Sequence, residues 1–132
     1  MCKVGDIIFI KHYQEGSLSL SGHSFVVIND QAGEVEGLPY DMICNVLSSF
    51  KDDAQKRRKL SYPGNFPISN SDTTTDPDNG RSGFIKTDQL YYFNKSKLDY
   101  RRIGYVDYDI MQLIFEFIRD GDFAISRNTD NL

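Results

Sequence analysis

His23 is one of only two histidines in the chain, and it stands where a loop gives way to an apolar run: Gly22-His23-Ser24, then FVVIND. Histidine is the side chain that takes up or gives away a proton near neutral pH. A second apolar run, MICNVL, ends in Ser48 and Ser49, two hydroxyls at the point where a strand would pass into polar loop. Lys11 and His12 close the first apolar segment, and Arg81 lies just before a later one. A histidine, one or two hydroxyls and one or two cations can cleave RNA without a metal. The imidazole moves a proton, the hydroxyls and cations hold the phosphate and neutralise charge in the transition state, and RNA supplies its own nucleophile, the 2′-hydroxyl. The plainer reading of a histidine at a strand end is structural. The sequence carries no phosphate-binding glycine motif, His-rich metal cluster or nucleophile elbow.

Strands must hold these side chains still. After Gly5-Asp6, IIFIKHY reads as a first strand, rich in β-branched and aromatic residues. QEGSLSLSG (14–22) reads as a Ser/Gly loop, HSFVVIND as a second strand and QAGEVEGLP as a turn region. YDMICNVLSS (40–49) is apolar on both faces in its middle, as a strand covered on both sides would be. The basic cluster Lys56, Arg57, Arg58, Lys59 within KDDAQKRRKL reads most simply as a solvated loop or short helix face, with an RNA contact as the alternative. Pro63 and Pro67 limit SYPGNFPIS to an edge strand or an extended link. The polar stretch 70–81 reads as a long exposed loop or hairpin tip. SGFIKTDQL and LDYRRIGYVD then read as two further strands.

From about 108 to 120, Ile110, Leu113, Ile114 and Phe117 recur at i, i+3, i+4, i+7, the apolar face of a helix, with Asp107 as N-cap and Gly121 as C-terminal stop. The tail 126–132 is expected to fray. Five or six short strands followed by one helix predict a mostly β chain. The expected architecture is a small, partly open antiparallel barrel closed by a C-terminal α-helix, in a single domain spanning 1–132.

The totals set outer bounds. The chain has 132 residues, 39% of them hydrophobic and 26% charged, with eight tyrosines, nine phenylalanines and no tryptophan. A chain of this length buries enough apolar surface to fold without disulfides or metals. Neither Cys2 nor Cys44 has the spacing of a zinc site, and Cys44 lies inside an apolar run as a small buried hydrophobe. No apolar run is long enough to span a membrane, and MCKVGDII lacks the pattern of a signal peptide, so the expected location is cytoplasmic. A net charge of −4 argues against coating nucleic acid through charge alone. It leaves room for a short strand bound in a locally basic groove.

VGDIIFI, the apolar strand FVVIND, the Ser-terminated strand ICNVLSS and the closing segment SGFIKTDQLYYFNKSKLDYRRIGYVDYDIMQLIFEFI resemble the MazF/PemK toxin family. The order of that closing segment carries most of the likeness: Asp-Gln-Leu, the basic stretch KSKL, an Ile-Gly pair, then an Asp-started helix containing Met. The resemblance implies the SH3-like barrel of the CcdB/PemK toxins and a homodimer. It implies metal-independent, cofactor-free, sequence-specific cleavage of single-stranded RNA to a 2′,3′-cyclic phosphate and a 5′-hydroxyl. It also implies a cognate antitoxin that orders on binding. The family carries a catalytic Arg, followed by Pro, directly before its second strand. Here His23 and Ser24 hold those places. Ser48 matches the family's catalytic Thr or Ser, with Ser49 the one-residue alternative. Lys11, His12, Arg81 and Gln89 are the expected RNA contacts. The missing Arg also fits a non-catalytic, CcdB-like binding module aimed at a protein, or an inactive member.

Overall fold

A computed structural model describes residues 2–76 and 82–132. β1 (Asp6–Glu15) and β2 (Leu18–Asn29) form one long antiparallel hairpin, with Ile8 opposite Phe25 and Ile10 opposite His23. The segment expected as a loop, 14–22, is instead the turn and outer arm of this hairpin: Tyr13 pairs with Leu20 and His12 with Ser21. Gly16, at φ +61°, makes the reversal. The serines of SLSLS occupy an arm exposed to water, which is why composition read them as loop. β3 (Gly33–Val35) and β4 (Leu38–Tyr40) make a separate small hairpin. They are followed by β5 (Met42–Ser49), α1 (Asp53–Leu60), β6 (Asn65–Ile68), β7 (Thr73–Thr75), β8 (Gly83–Phe93), β9 (Tyr100–Val106), α2 (Tyr108–Asp120) and β10 (Ser126–Asn128).

The large sheet runs β10-β8-β5-β2-β1-β9-β7, with β6 also paired to β8. Every pairing in it is antiparallel except that of β10 with β8. Its two ends do not pair with each other among the described residues, so the sheet is open. β6 is an edge strand, as Pro67 requires. Part of the polar stretch 70–76 is ordered as a 3₁₀ turn (Asn70–Asp72) and β7, which pairs with β9. The tail is not frayed. β10 adds to β8, the Asn131 carboxamide oxygen accepts the Gln14 N–H at 2.6 Å, and that of Asn128 shares its own turn with Asp130. These bonds tie the end of the chain to the β1–β2 hairpin.

Alternation of side chains explains the unbroken apolar runs. Ile8, Ile10, Phe25, Val27, Cys44 and Val46 face one core with Tyr91 and Phe93, whereas Ile7, Val26 and Ile85 face a second core with Met111 and Ile114 of α2. Helix α2 matches the expected span, but its buried face is turned by one position. Met111 and Ile114 are buried, Phe115 and Ile118 pack against the second core, and Leu113 is exposed. LIFEFI satisfies helical spacing in both registers, and only the docking surface chooses between them. Asp107 does precede the helix, and it contributes through its backbone carbonyl, which accepts the Met111 N–H at 3.0 Å, not through its side chain. No helix among the described residues is long and apolar enough to cross a membrane.

Asp6 is almost fully buried, forms an ion pair with Arg102 (Nε to Oδ1, 3.0 Å) and accepts the Lys3 N–H at 3.0 Å, pinning the start of β1 to β9. Complete burial pushes the Cys44 thiol well above its ordinary range, with Cys2 adding to the effect, so Cys44 is held protonated as part of the core and not as a nucleophile. A thiol reagent is expected to leave Cys44 unmodified in the native protein and to label it on denaturation; rapid labelling of the native protein would contradict this packing. Phe25 is fully buried among rings. Phe25→Ala should lower the unfolding free energy by about 3–5 kcal/mol in urea titration, and a loss no larger than that of a surface substitution would show that the first core does not depend on it.

Candidate active-site groove

β2 and β5 pair with Ser24 opposite Leu47 and Phe25 opposite Val46, so the next step of the register sets His23 beside Ser48. Alternation then places Ser24 and Ser49 on the other face of the strands from His23 and Ser48. All four line one open groove of about 420 Å³, together with Phe9, Gly22, Leu47 and Phe84. Gly22 is required here because the Phe9 ring lies where a side chain on residue 22 would be.

His23 is half-buried, and its ring meets the edge of Phe25 at 6.2 Å between centroids. Its Nδ1 lies 3.1 Å from the Ser24 carbonyl oxygen. A carbonyl only accepts, so Nδ1 is the protonated nitrogen in that contact. In the neutral ring Nε2 keeps its lone pair for a proton.

The remaining wall comes from α1. Asp52 caps the helix by accepting the Gln55 N–H at 2.7 Å, and the Gln55 carboxamide reaches back to accept the Lys51 N–H at 2.6 Å. This fixes the first turn against Lys51, which precedes the helix; Lys51 and, from α1, Gln55 and Lys59 line the groove, where Lys86 of β8 joins them. Among the described residues, three lysines and no carboxylate therefore line a groove in a chain of net charge −4. Their potential adds within the concavity and favours a polyanion. Beside it, Phe50 stacks on Phe84 at 5.2 Å, and the Lys56 ammonium lies 5.7 Å over the Phe50 ring.

His23, Ser24, Ser48 and Ser49 thus come together. Lys11 and His12 do not join them. β1 continues past them to Glu15, so they lie within a strand and not at its end, both exposed, with Lys11 paired to Asp99 at 3.7 Å. Gln89 lines two neighbouring hollows, one of which shares Lys59 and Lys86 with the groove. Arg81 lies outside the described residues. Of the basic cluster 56–59, the plainer reading holds for Arg57 and Arg58, which are exposed and line none of these hollows, whereas Lys59 lines the groove. Sequence reasoning passed over Lys51, Gln55 and Lys86. The spacing of Lys51, Gln55 and Lys59 at i, i+4, i+8 was a usable signal, whereas Lys86 is brought in only by the pairing of β8 with β5. Among the described residues no three His, Cys, Asp or Glu side chains converge to hold a metal ion.

The nitrogen-15 spectrum of the neutral imidazole is expected to show His23 as the Nδ1–H tautomer; a ring protonated at Nε2 instead would remove the free lone pair from the groove.

Among known proteins, no family model matches the chain and no curated sequence matches it.

Proposed function

We propose that the chain is a metal-independent endoribonuclease of the MazF/PemK kind, the toxin of a toxin–antitoxin pair, cutting single-stranded RNA at a short sequence. The observation that carries this reading is the convergence of His23, Ser48 and three lysines on one open groove that has no carboxylate among the described residues. His23 Nε2 takes the proton of the 2′-hydroxyl as its oxygen bonds to the adjacent phosphorus. The bond from phosphorus to the 5′-oxygen breaks, that oxygen takes up a proton from water at the open mouth, and the hydroxide left behind takes the proton held by His23. The products are a 2′,3′-cyclic phosphate and a 5′-hydroxyl. Ser48, on the same face as His23, donates to a non-bridging oxygen, and Lys51, Lys59 and Lys86 offset the charge that builds on the phosphate.

The resemblance places a catalytic Arg where this chain has His23. Arginine supplies charge and cannot accept a proton at neutral pH. Here the two tasks are divided: His23 moves the proton, and Lys51, Lys59 and Lys86 supply the charge. The fold reading that accompanies this is a small, SH3-like, partly open barrel, supported by four long antiparallel strands (β1, β2, β5 and β8) and the helix α2 packed across one face. A cytoplasmic location, a homodimer and a cognate antitoxin belong to the same proposal through the resemblance.

A second reading, a non-catalytic module that binds a protein, is favoured by a mostly apolar hollow of about 490 Å³ beside α2, where Tyr105 and Tyr108 stand exposed. One assay separates the two. Incubated with a long single-stranded RNA, the protein is expected to cut at a short recurring sequence with or without EDTA. His23→Ala and Ser48→Ala should each lower the rate by at least about a hundredfold, and Lys59→Ala with Lys86→Ala should weaken binding and flatten its dependence on salt. Absence of cutting by the wild type at any pH from about 5 to 8, the range over which histidine usually titrates, together with growth arrest on expression, would favour the binding module.

A further inference from the structure

The hollow next to the His23 groove has a volume of about 290 Å³ and shares Lys59 and Lys86 with it; Tyr62, Asn65, Asp88 and Gln89 supply its chemistry. It is a built feature. From Cys44 to Val46, β5 advances two residues while its partner β8 runs five, from Tyr91 to Lys86, so three residues of β8 are extra. A bulge of this kind re-aims side chains, and it carries Asp88 and Gln89. Asn45, fully buried, secures it by donating Nδ2–H to the Gln89 carbonyl at 3.0 Å. Buried Thr87 donates both its N–H (2.9 Å) and its hydroxyl (2.7 Å) to the Gly64 carbonyl, fastening the turn after α1 to the same strand. Asp88 then lies against Gly64, where an added Cβ would stand 2.5 Å from the carboxylate carbon. Asn65 spends its amide N–H on the Lys59 carbonyl at 2.9 Å. Among the described residues the Asp88 carboxylate meets no hydrogen-bond donor, and Tyr62 is 53% exposed.

We propose that this hollow is a nucleobase subsite that takes a guanine, and so sets part of the RNA sequence recognised. The proposal rests on the ribonuclease reading. Tyr62 offers a face on which a base stacks. A carboxylate is purely an acceptor, and guanine alone of the four bases presents two adjacent donors, N1–H and N2–H, on its pairing edge. Its O6 lies next to them, within the reach of an N–H of Gln89 or the Lys86 ammonium. Adenine and cytosine set an acceptor beside their one amino group, and uracil flanks its single N–H with two carbonyls. Each of these would turn a lone pair toward Asp88. Lys59 and Lys86, at the junction of the two hollows, hold the phosphate that joins the guanosine to the nucleotide being cut.

The test is binding of random RNA hexamers to His23→Ala, which keeps RNA intact, with a second pool in which inosine replaces every guanosine and so lacks the N2 amino group. The guanosine pool should bind about tenfold more tightly. Asp88→Asn should abolish that preference, weakening the guanosine pool more than the inosine pool, which keeps only the N1–H for the carboxylate to accept; Gly64→Ala should reduce the preference by displacing the carboxylate, and Tyr62→Ala should weaken both pools. In parallel, wild-type cut ends should show guanosine at a fixed offset, lost in Asp88→Asn enzyme that still cuts. Equal binding of the two pools, or a preference that survives Asp88→Asn in a protein of wild-type stability, would overturn the guanine subsite and leave the ribonuclease standing. Failure of both pools to bind, with no cutting by the wild type, would overturn both.

Discussion

Phe25 is fully buried and meets four rings edge-on: Tyr13 at 5.1 Å, Tyr91 at 5.3 Å, Phe93 at 5.4 Å and His23 at 6.2 Å. Each such pair contributes about 0.5–1.5 kcal/mol beyond the area it buries, and together they join β1, β2 and β8 across β5. Burial pushes the Tyr91 hydroxyl up to about 12, with the charge of Glu15 adding to the effect, so this ring stays neutral within the cluster. His23 is the one half-buried member of the set. Its ring is held by Phe25 and its Nδ1 by the Ser24 carbonyl, and the residue lines the groove. The core and the candidate site therefore depend on the same residue.

The acidity of the whole chain and the basicity of the groove are compatible because a field inside a concavity is set by its walls. Carboxylates are common around α1, but they are used elsewhere: Asp52 caps the helix, and Asp53 sits in its first turn, where the helix dipole favours a negative charge. Of the helix's side chains, Gln55 and Lys59 are the ones that line the groove. A polar helix with no buried residue is stable here because its cap and the Asn65 bond to its last turn hold both ends.

Irregularity in β8 does comparable work. A regular strand would have presented Asp88 and Gln89 alternately to the two cores. The three extra residues opposite Asn45 remove them from that alternation and set them beside the groove. The cost is one buried polar atom, the Asn45 carboxamide oxygen, which meets no hydrogen-bond donor among the described residues.

Hydrophobic patterning is local, so the sequence by itself determined the mostly β class, the strand runs from Ile7 to Tyr13 and from Phe25 to Asn29, the end of β5 at Ser49 and the span of α2. It also singled out His23 and Ser48 as polar residues abutting apolar runs; Ser48 does lie at the end of β5, whereas His23, expected at the start of a strand, lies inside β2 because the serine-rich segment before it is strand as well. What remained depends on partners distant in the chain. Leu113 and Met111 both fit the apolar stripe of α2, and only docking decided that Met111 is inside. SLSLS became strand because Tyr13 and His12 lay opposite to receive it, and the tail became β10 because β8 had a free edge. Lys86, Asp88 and Gln89 were invisible as a group, since a register shift between β5 and β8 leaves no mark in the order of residues on either strand. The pairing of His23 with Ser48 is likewise a product of register: 25 residues separate them in the chain, and a slip of one position would turn one of the two side chains to the opposite face.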